Sequence, residues 1–177
     1  NNMKLVSGMQ EKLPRDCPIV GGLASEHLSF EHTYQFFDRE VFEGGAVALA
    51  LRGRIGLATA AGTGFQPVGA VRTCTEVVDD RVIKSLDGER AVNLYKSFVG
   101  ENVAERPGIG IEFPIAILAG AGGGDYMESD ARTQVIRAVR QISDGSGALS
   151  CAGDVYRGAK IRLTRATKDD LIAAARV

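Results

Sequence analysis

The sequence contains little histidine, little cysteine and no excess of charge of either sign. Among its 177 residues are two histidines and three cysteines, and its formal net charge is −1. A nearly neutral chain lacks the clustered Lys and Arg that bind phosphate backbones or anionic lipid. No apolar run approaches the roughly 18–20 residues that a transmembrane helix needs. We therefore expect neither nucleic acid nor a membrane as a partner.

The three cysteines, Cys17, Cys74 and Cys151, are odd in number and far apart in the sequence. This pattern argues against the disulfide framework of a small secreted domain and favours a reducing compartment, so we predict a cytoplasmic protein. A cysteine nucleophile would need a base close in space to stabilise its thiolate, and both histidines lie in one short segment. Unpaired cysteines are more often buried as small apolar residues, which is the interpretation that we favour.

The composition, 45% hydrophobic and 24% charged, is that of an ordinary globular protein. We predict an α/β (α+β) fold, with a strand-rich mixed sheet and a few short helices in two modules packed together. The modules are predicted to span residues 1–100 and 101–177, because Glu101–Ile111 lacks periodicity and contains Pro107, Gly108 and Gly110.

In the first module, Leu5, Met9 and Leu13 recur at steps of four before Pro14, which predicts a short N-terminal helix. Further strands are expected where apolar residues run together or alternate: Cys17–Val20, Ala46–Leu51 as the buried second strand of a hairpin, Ile55–Thr59, Val71–Val77 and Arg81–Leu86. Asp87 is the expected N-cap of a helix that carries Ala91, Leu94, Tyr95 and Phe98 and ends near Gly100.

In the second module, strands are expected at Phe113–Leu118, Gln134–Ile142, Ala148–Ala152 and Gly158–Arg165. In the last of these, Ile161 and Leu163 should face the core. The spacing of Thr167 and Asp170 predicts a capping box at the start of a final helix.

Two candidate sites are weak. The glycine-rich stretches Gly62–Gly69 and Gly120–Gly124 lack the Gly-Lys-Ser/Thr ending and the dinucleotide spacing of phosphate-binding loops. Glu26, His27, Glu31 and His32 lack the i, i+4 histidine pair of a zinc helix. We therefore predict no cofactor, no metal site and no catalytic residue.

The segment Gly64–Thr75 is the strongest candidate for binding a ligand. Small residues at Gly64, Pro67 and Gly69 would let the backbone approach a small molecule, Arg72 could clamp a carboxylate, and Thr73 and Thr75 could supply hydroxyls. Strand periodicity puts Arg72 on the opposite face from the two threonines, so all three share a pocket only if a bulge intervenes. The loop Gly120–Asp125 is a second expected part of the lining.

The order of glycine, proline and packing positions resembles the FIST family, a sensory module named for F-box and intracellular signal-transduction proteins. The stretches that carry the resemblance are Gly21–Ser25, Gly64–Gly69 leading into Arg72–Thr75, Leu86–Ala91 with Leu94 and Tyr95, Phe113–Pro114, Asp144–Gly145 and Gly158–Ala159. By this resemblance, residues 1–100 correspond to the C-terminal part of a FIST N module and residues 101–177 to the N-terminal part of a FIST C module.

The resemblance implies an intracellular domain that binds a small molecule, such as an amino acid or a related metabolite, and signals to an output domain or protein. It brings no catalytic residues. Two alternatives stay open at this point. One is a small hydrolase or transferase that uses Cys74 or Asp125, and the other is a protein-interaction module without a pocket.

Overall fold

A computed structural model describes residues 2–25, 31–60, 62–106, 108–118 and 134–176. The backbone falls into two compact units, residues 1–60 and residues 61–177. The predicted module boundary near residue 100 is a different kind of division, based on the sequence, and stays a prediction.

The described residues of the first unit form one helix and one hairpin. Helix α1 (Asn2–Gln10) confirms the predicted N-terminal helix. Strands β1 (Tyr34–Phe37) and β2 (Glu40–Glu43) pair as an antiparallel hairpin, with Asp38 in the left-handed region at its turn (φ 54°). Aspartate tolerates this conformation better than most residues.

Three predicted strands of this unit are wrong. Cys17–Val20, Ala46–Leu51 and Ile55–Thr59 form neither helix nor strand. The side chain of Leu49, expected in the core, is 85% exposed. A strand needs a neighbour for its backbone hydrogen bonds, and in the part of the chain that the structure describes no strand pairs with these segments.

The second unit holds the sheet. Its strands are β3 (Gln66–Val78), β4 (Val82–Leu86), β5 (Glu89–Arg90), β6 (Ile115–Ile117), β7 (Val135–Arg137), β8 (Val139–Ile142), β9 (Leu149–Cys151) and β10 (Lys160–Arg165). Its helices are α2 (Val92–Val99), a 3₁₀ helix (Glu101–Glu105), α3 (Ile109–Glu112) and α4 (Lys168–Ala174). None of the helices in the described ranges is long and apolar enough to cross a bilayer.

The strands follow the order β7-β6-β10-β3-β4-β9-β8, with β5 beside β4, and every pairing is antiparallel. The two ends of this order, β7 and β8, are consecutive in the sequence and separated only by Ala138. The predicted strand Gln134–Ile142 is therefore two strands that pair with opposite ends of the sheet. This run nearly closes the sheet on itself, and the mixed, strand-rich fold class is confirmed.

The buried side chains of the core come mainly from the strands of this sheet and from α2. Ile161 and Leu163 are almost completely buried, as their alternation predicted. Tyr95 of α2 is fully buried, and its hydroxyl donates to the carbonyl of Phe113 at 2.6 Å. A buried phenol needs such a partner, so this bond ties α2 to the segment that leads into β6.

The predicted helix around Tyr95 exists, but its predicted cap is wrong. Helix α2 begins at Val92 after Ala91, whose N-cap position has no side-chain hydrogen bond. Asp87 instead lies in the tight turn between β4 and β5, with φ 52°. Gly100 ends α2 as predicted, with φ 100°, where a Cβ would be strained.

The capping box at the last helix is confirmed. The Thr167 hydroxyl accepts from the Asp170 backbone N–H at 3.1 Å, and the Asp170 carboxylate accepts from the Thr167 backbone N–H at 2.8 Å. These two bonds satisfy amide groups that the first turn of α4 leaves without helical partners.

Candidate functional site

Strand β3 departs from regular geometry where the ligand-binding segment was predicted. Opposite β10, Arg72 pairs with Ile161 and Val68 pairs with Leu163. Two steps along β10 thus correspond to four along β3, so the strand bulges between these pairs. Gly69 lies in the bulge with φ +70°, a conformation that glycine adopts without strain.

An arginine from the neighbouring strand supports the bulge. Both Nε and Nη2 of Arg162 donate to the carbonyl oxygen of Gly69, at 3.1 and 2.9 Å. A carbonyl left without its ladder partner by a bulge is satisfied in this way, and the donor is charged, which strengthens the bond. Gly69 therefore contributes a bulge and an acceptor, and a Cβ at this position would meet open space.

Beyond the bulge, Asp87 connects the backbone and the side chains of two predicted site residues. Its carboxylate accepts from the Thr73 backbone N–H at 2.9 Å and from Nη1 of Arg72 at 3.4 Å. The Asp87 N–H in turn donates to the Thr73 carbonyl at 2.9 Å. The Thr73 N–H, and to a smaller extent Arg72, lower the pKa of Asp87 below its ordinary value, so the carboxylate is ionised at neutral pH.

The hydroxyl groups of the two threonines have different partners. Nζ of Lys160 donates to the Thr73 hydroxyl at 2.5 Å. The Thr75 hydroxyl accepts from the Gly88 N–H at 3.0 Å and lies 2.8 Å from the Ser85 hydroxyl. The register of β3 against β4 shifts at Thr75, which lets its side chain reach the turn.

We call Arg72, Thr73, Thr75, Asp87 and Lys160 the Asp87 cluster. The structure brings the three predicted residues Arg72, Thr73 and Thr75 together around the turn at Asp87, although strand periodicity alone separates them. The cluster holds two cations and one carboxylate, hence a net charge of +1. It is solvent-facing, since the Arg72 and Asp87 side chains are 49% and 37% exposed.

Asp87 and Lys160 were missed as site residues. The sequence predicts a helix cap at Asp87 and only a strand around Lys160. The Asp-Gly dipeptide at residues 87 and 88 is a turn signal that could have identified the first. Lys160 has no such local signal, because its position beside Thr73 depends on the register of β10 against β3.

Pro67 lies near the start of β3 and Gly64 lies just before the strand, and both have packing roles. Pro67 pairs with Thr164 of β10. A Cβ on Gly64 would lie 2.7 Å from the carbonyl oxygen of Asp170 and 3.0 Å from Cα of Leu171, both in the backbone of α4. Gly64 therefore allows the strand to touch the helix. Pro67 and Thr73 pair with Thr164 and Lys160, which are four steps apart along β10, or roughly 13 Å.

The buried cysteines are poor nucleophiles. Cys74 and Cys151 are almost completely buried, and burial raises the pKa of each thiol to about 12. Neither forms an appreciable thiolate near neutral pH, and the thiolate is the reactive species. The other residue of the enzyme alternative, Asp125, lies outside the described residues, as does the whole loop Gly120–Asp125.

The histidine segment is only partly described. Glu26 and His27 lie outside the described residues. Nδ1 of His32 lies 2.7 Å from the carboxylate of Glu43 on the exposed hairpin. Within the described ranges, no group of three His, Cys, Asp or Glu side chains could hold a metal ion.

A groove of about 440 Å³ lies on α1 in the first unit. It is open and mainly apolar, and its lining residues are Leu5, Gly8, Met9, Lys12 and Leu13. None of the predicted ligand-binding residues contributes to it.

Comparison with known proteins assigns both halves of the chain. The FIST N domain matches residues 1–89 and the FIST C domain matches residues 91–177. No curated protein and no solved structure matches the chain. The two matches cover the chain almost from end to end and adjoin at Arg90, in the order that the sequence resemblance implied. The chain therefore belongs to the FIST family, whose domains are described as sensory modules of signal transduction.

Proposed function

We propose that this chain is a cytoplasmic sensor that binds a small carboxylate-bearing molecule, such as an amino acid or a related metabolite, at the Asp87 cluster and signals to an output domain or protein. The observation that carries the proposal is that Arg72 and the Thr73 N–H both bind Asp87, while Lys160 binds the Thr73 hydroxyl. Membership of a sensory family supports the signalling role. The unpaired state of all three cysteines supports the cytoplasmic location.

Arg72 has the donors that a carboxylate ligand needs. A guanidinium carries five N–H donors in a planar fork, and Asp87 takes one of them at 3.4 Å. The remaining donors can hold a carboxylate in a bidentate arrangement. Asp87, itself anchored by the Thr73 N–H, limits the freedom of the arginine side chain and so reduces the entropy lost on binding.

The charges of the cluster suit a ligand that carries both a negative and a positive group. Two cations and one carboxylate leave a net charge of +1, which favours an anionic group. A ligand that also carries an ammonium group has a counterpart in the Asp87 carboxylate, which is ionised because its pKa is lowered mainly by the Thr73 N–H. Of the carboxylate ligands, amino acids therefore fit best.

The experiment is a thermal-shift screen of the chain against amino acids and related carboxylates, followed by calorimetry on any compound that raises the melting temperature. A ligand that binds only the native state stabilises it. Arg72→Ala should weaken binding about 10- to 150-fold, because hydrogen bonds to charged groups contribute about 1.5–3 kcal/mol.

Arg81→Ala is the matched control. Nε of Arg81 pairs with Asp154 at 3.4 Å, the same distance as in the Arg72–Asp87 pair, but Arg81 lies outside the Asp87 cluster. It should bind the ligand as the unaltered protein does. A screen without a stabilising carboxylate would refute the proposal, and equal affinity of the two variants would remove Arg72 from the site.

A further inference from the structure

Residues Ala46–Leu51, which we call the apolar run, form an exposed hydrophobic stretch in the first unit. Alanine alternates in it with Val47, Leu49 and Leu51, and the side chains of these three residues are 48%, 85% and 62% exposed. Large apolar side chains so exposed and so close together in the sequence are a candidate interaction site.

The backbone of the apolar run is also unpaired. Across the described ranges, no backbone hydrogen bond involves any of its six residues. Its two-residue periodicity suits a strand with one large-residue face and one alanine face. Strands with free N–H and C=O groups bind a further strand through main-chain hydrogen bonds, with side chains adding specificity.

We infer that the apolar run pairs with the same run of a second copy of this chain, as two antiparallel strands around a two-fold axis. Such a contact is self-complementary, so each copy supplies the partner that the other lacks. A two-fold axis sets the central residue opposite its own copy. Centring the pair on Leu49 places Leu49 opposite Leu49 and Val47 opposite Leu51, so the large apolar side chains of the two copies pack together on one face.

The charges that flank the apolar run select the antiparallel direction. Glu43 precedes the run, and Arg52 and Arg54 follow it, while the run itself carries no charge. Parallel pairing in register would place like charges together at both ends, whereas antiparallel pairing brings the acidic end of one copy beside the basic end of the other. In the register centred on Leu49, Arg54 of one copy lies opposite Gly44 of the other, next to Glu43. His32 contacts one carboxylate oxygen of Glu43 and leaves the second oxygen for an arginine.

Analytical ultracentrifugation across a concentration series tests this inference. The unaltered chain should form dimers, and Leu49→Lys should raise the dissociation constant by more than about tenfold, because it places cations beside the axis and near Arg52 and Arg54. Leu23→Lys is the matched control, since Leu23 is a 67% exposed leucine of the same unit outside the run. It should dimerise normally.

Hydrogen exchange provides a second readout that needs no variant. The amides of the apolar run should become protected as the protein concentration rises through the dissociation constant. A chain that stays monomeric up to its solubility limit would overturn the inference, as would a dimer that Leu49→Lys leaves intact. Equal loss of the dimer in both leucine variants, or a dimer without protection of the run, would also overturn it.

Discussion

Gly64 and Gly69 allow the effect of close packing on stability to be separated from the effect of backbone strain. Both glycines have a left-handed backbone, with φ +68° and +70°. They differ in their surroundings, because a Cβ on Gly64 would strike the backbone of α4 while a Cβ on Gly69 would meet open space. Replacing each by alanine therefore adds the same conformational strain, and only Gly64→Ala adds a collision.

The expected costs can be worked from this geometry. A left-handed non-glycine residue costs about 1–2 kcal/mol, which applies to both variants. For Gly64→Ala, the nearest atoms are the carbonyl oxygen of Asp170 at 2.7 Å and Cα of Leu171 at 3.0 Å. These atoms belong to backbone and cannot rotate away, so strand or helix must shift, at about 1–3 kcal/mol for overpacking. Gly64→Ala should thus lower the free energy of unfolding by about 2–5 kcal/mol, and Gly69→Ala by about 1–2 kcal/mol.

Urea unfolding followed by far-UV circular dichroism measures this difference, since the chain contains no tryptophan for fluorescence. The midpoint should fall further for Gly64→Ala, with similar slopes for the two variants. Equal losses of stability would refute the contact between Gly64 and α4. If Gly64→Ala kept its stability and lost ligand binding, Gly64 would instead belong to the ligand site, as the sequence predicted.

Two further predictions concern titration and reactivity. The pKa of Asp87 is lowered from its ordinary 3.8, mainly by the Thr73 N–H, so its contribution to stability is present above pH 3.8 and is lost as the pH falls through the folded-state pKa. Asp87→Asn should therefore flatten the acid end of the pH–stability profile measured by urea unfolding, and an unchanged profile would contradict the hydrogen-bond network. Cys74 and Cys151, with pKa values raised to about 12 by burial, should be alkylated by iodoacetamide only on unfolding, whereas the partly exposed Cys17 should react in the native protein. Rapid native labelling of Cys74 at neutral pH would revive the cysteine-nucleophile alternative.

Local patterns in the sequence were sufficient to predict several structural elements. The alternation around Ile161 predicted a strand with the correct residues inside, because the side chains of a strand point to its two faces in turn. Val71–Val77 also lies in a strand as predicted, but the residue that it buries is Cys74, while Val71 is 44% exposed. The capping box between Thr167 and Asp170 was also predictable, since it involves residues only three positions apart. The glycine and proline positions that resemble the FIST family led to the correct family.

The candidate site depended on contacts that no local pattern encodes. Thr73 and Lys160 are 87 positions apart and meet only through the register of β3 against β10. The bulge at Gly69 changes that register, and nothing in the alternation of neighbouring residues reports it. Asp87 has the local features of both a helix cap and a turn. Its hydrogen bonds to Thr73 and Arg72 form only because it lies in the turn.

The apolar run shows the same limit most clearly. The sequence by itself determined that Ala46–Leu51 could form a strand, because its apolar side chains favour burial. Only the tertiary structure decided whether a neighbouring strand was present to bury it, and in the described residues none pairs with it. Hydrophobic periodicity specifies which side chains avoid water, whereas the partner that shields them is chosen by long-range backbone hydrogen bonding.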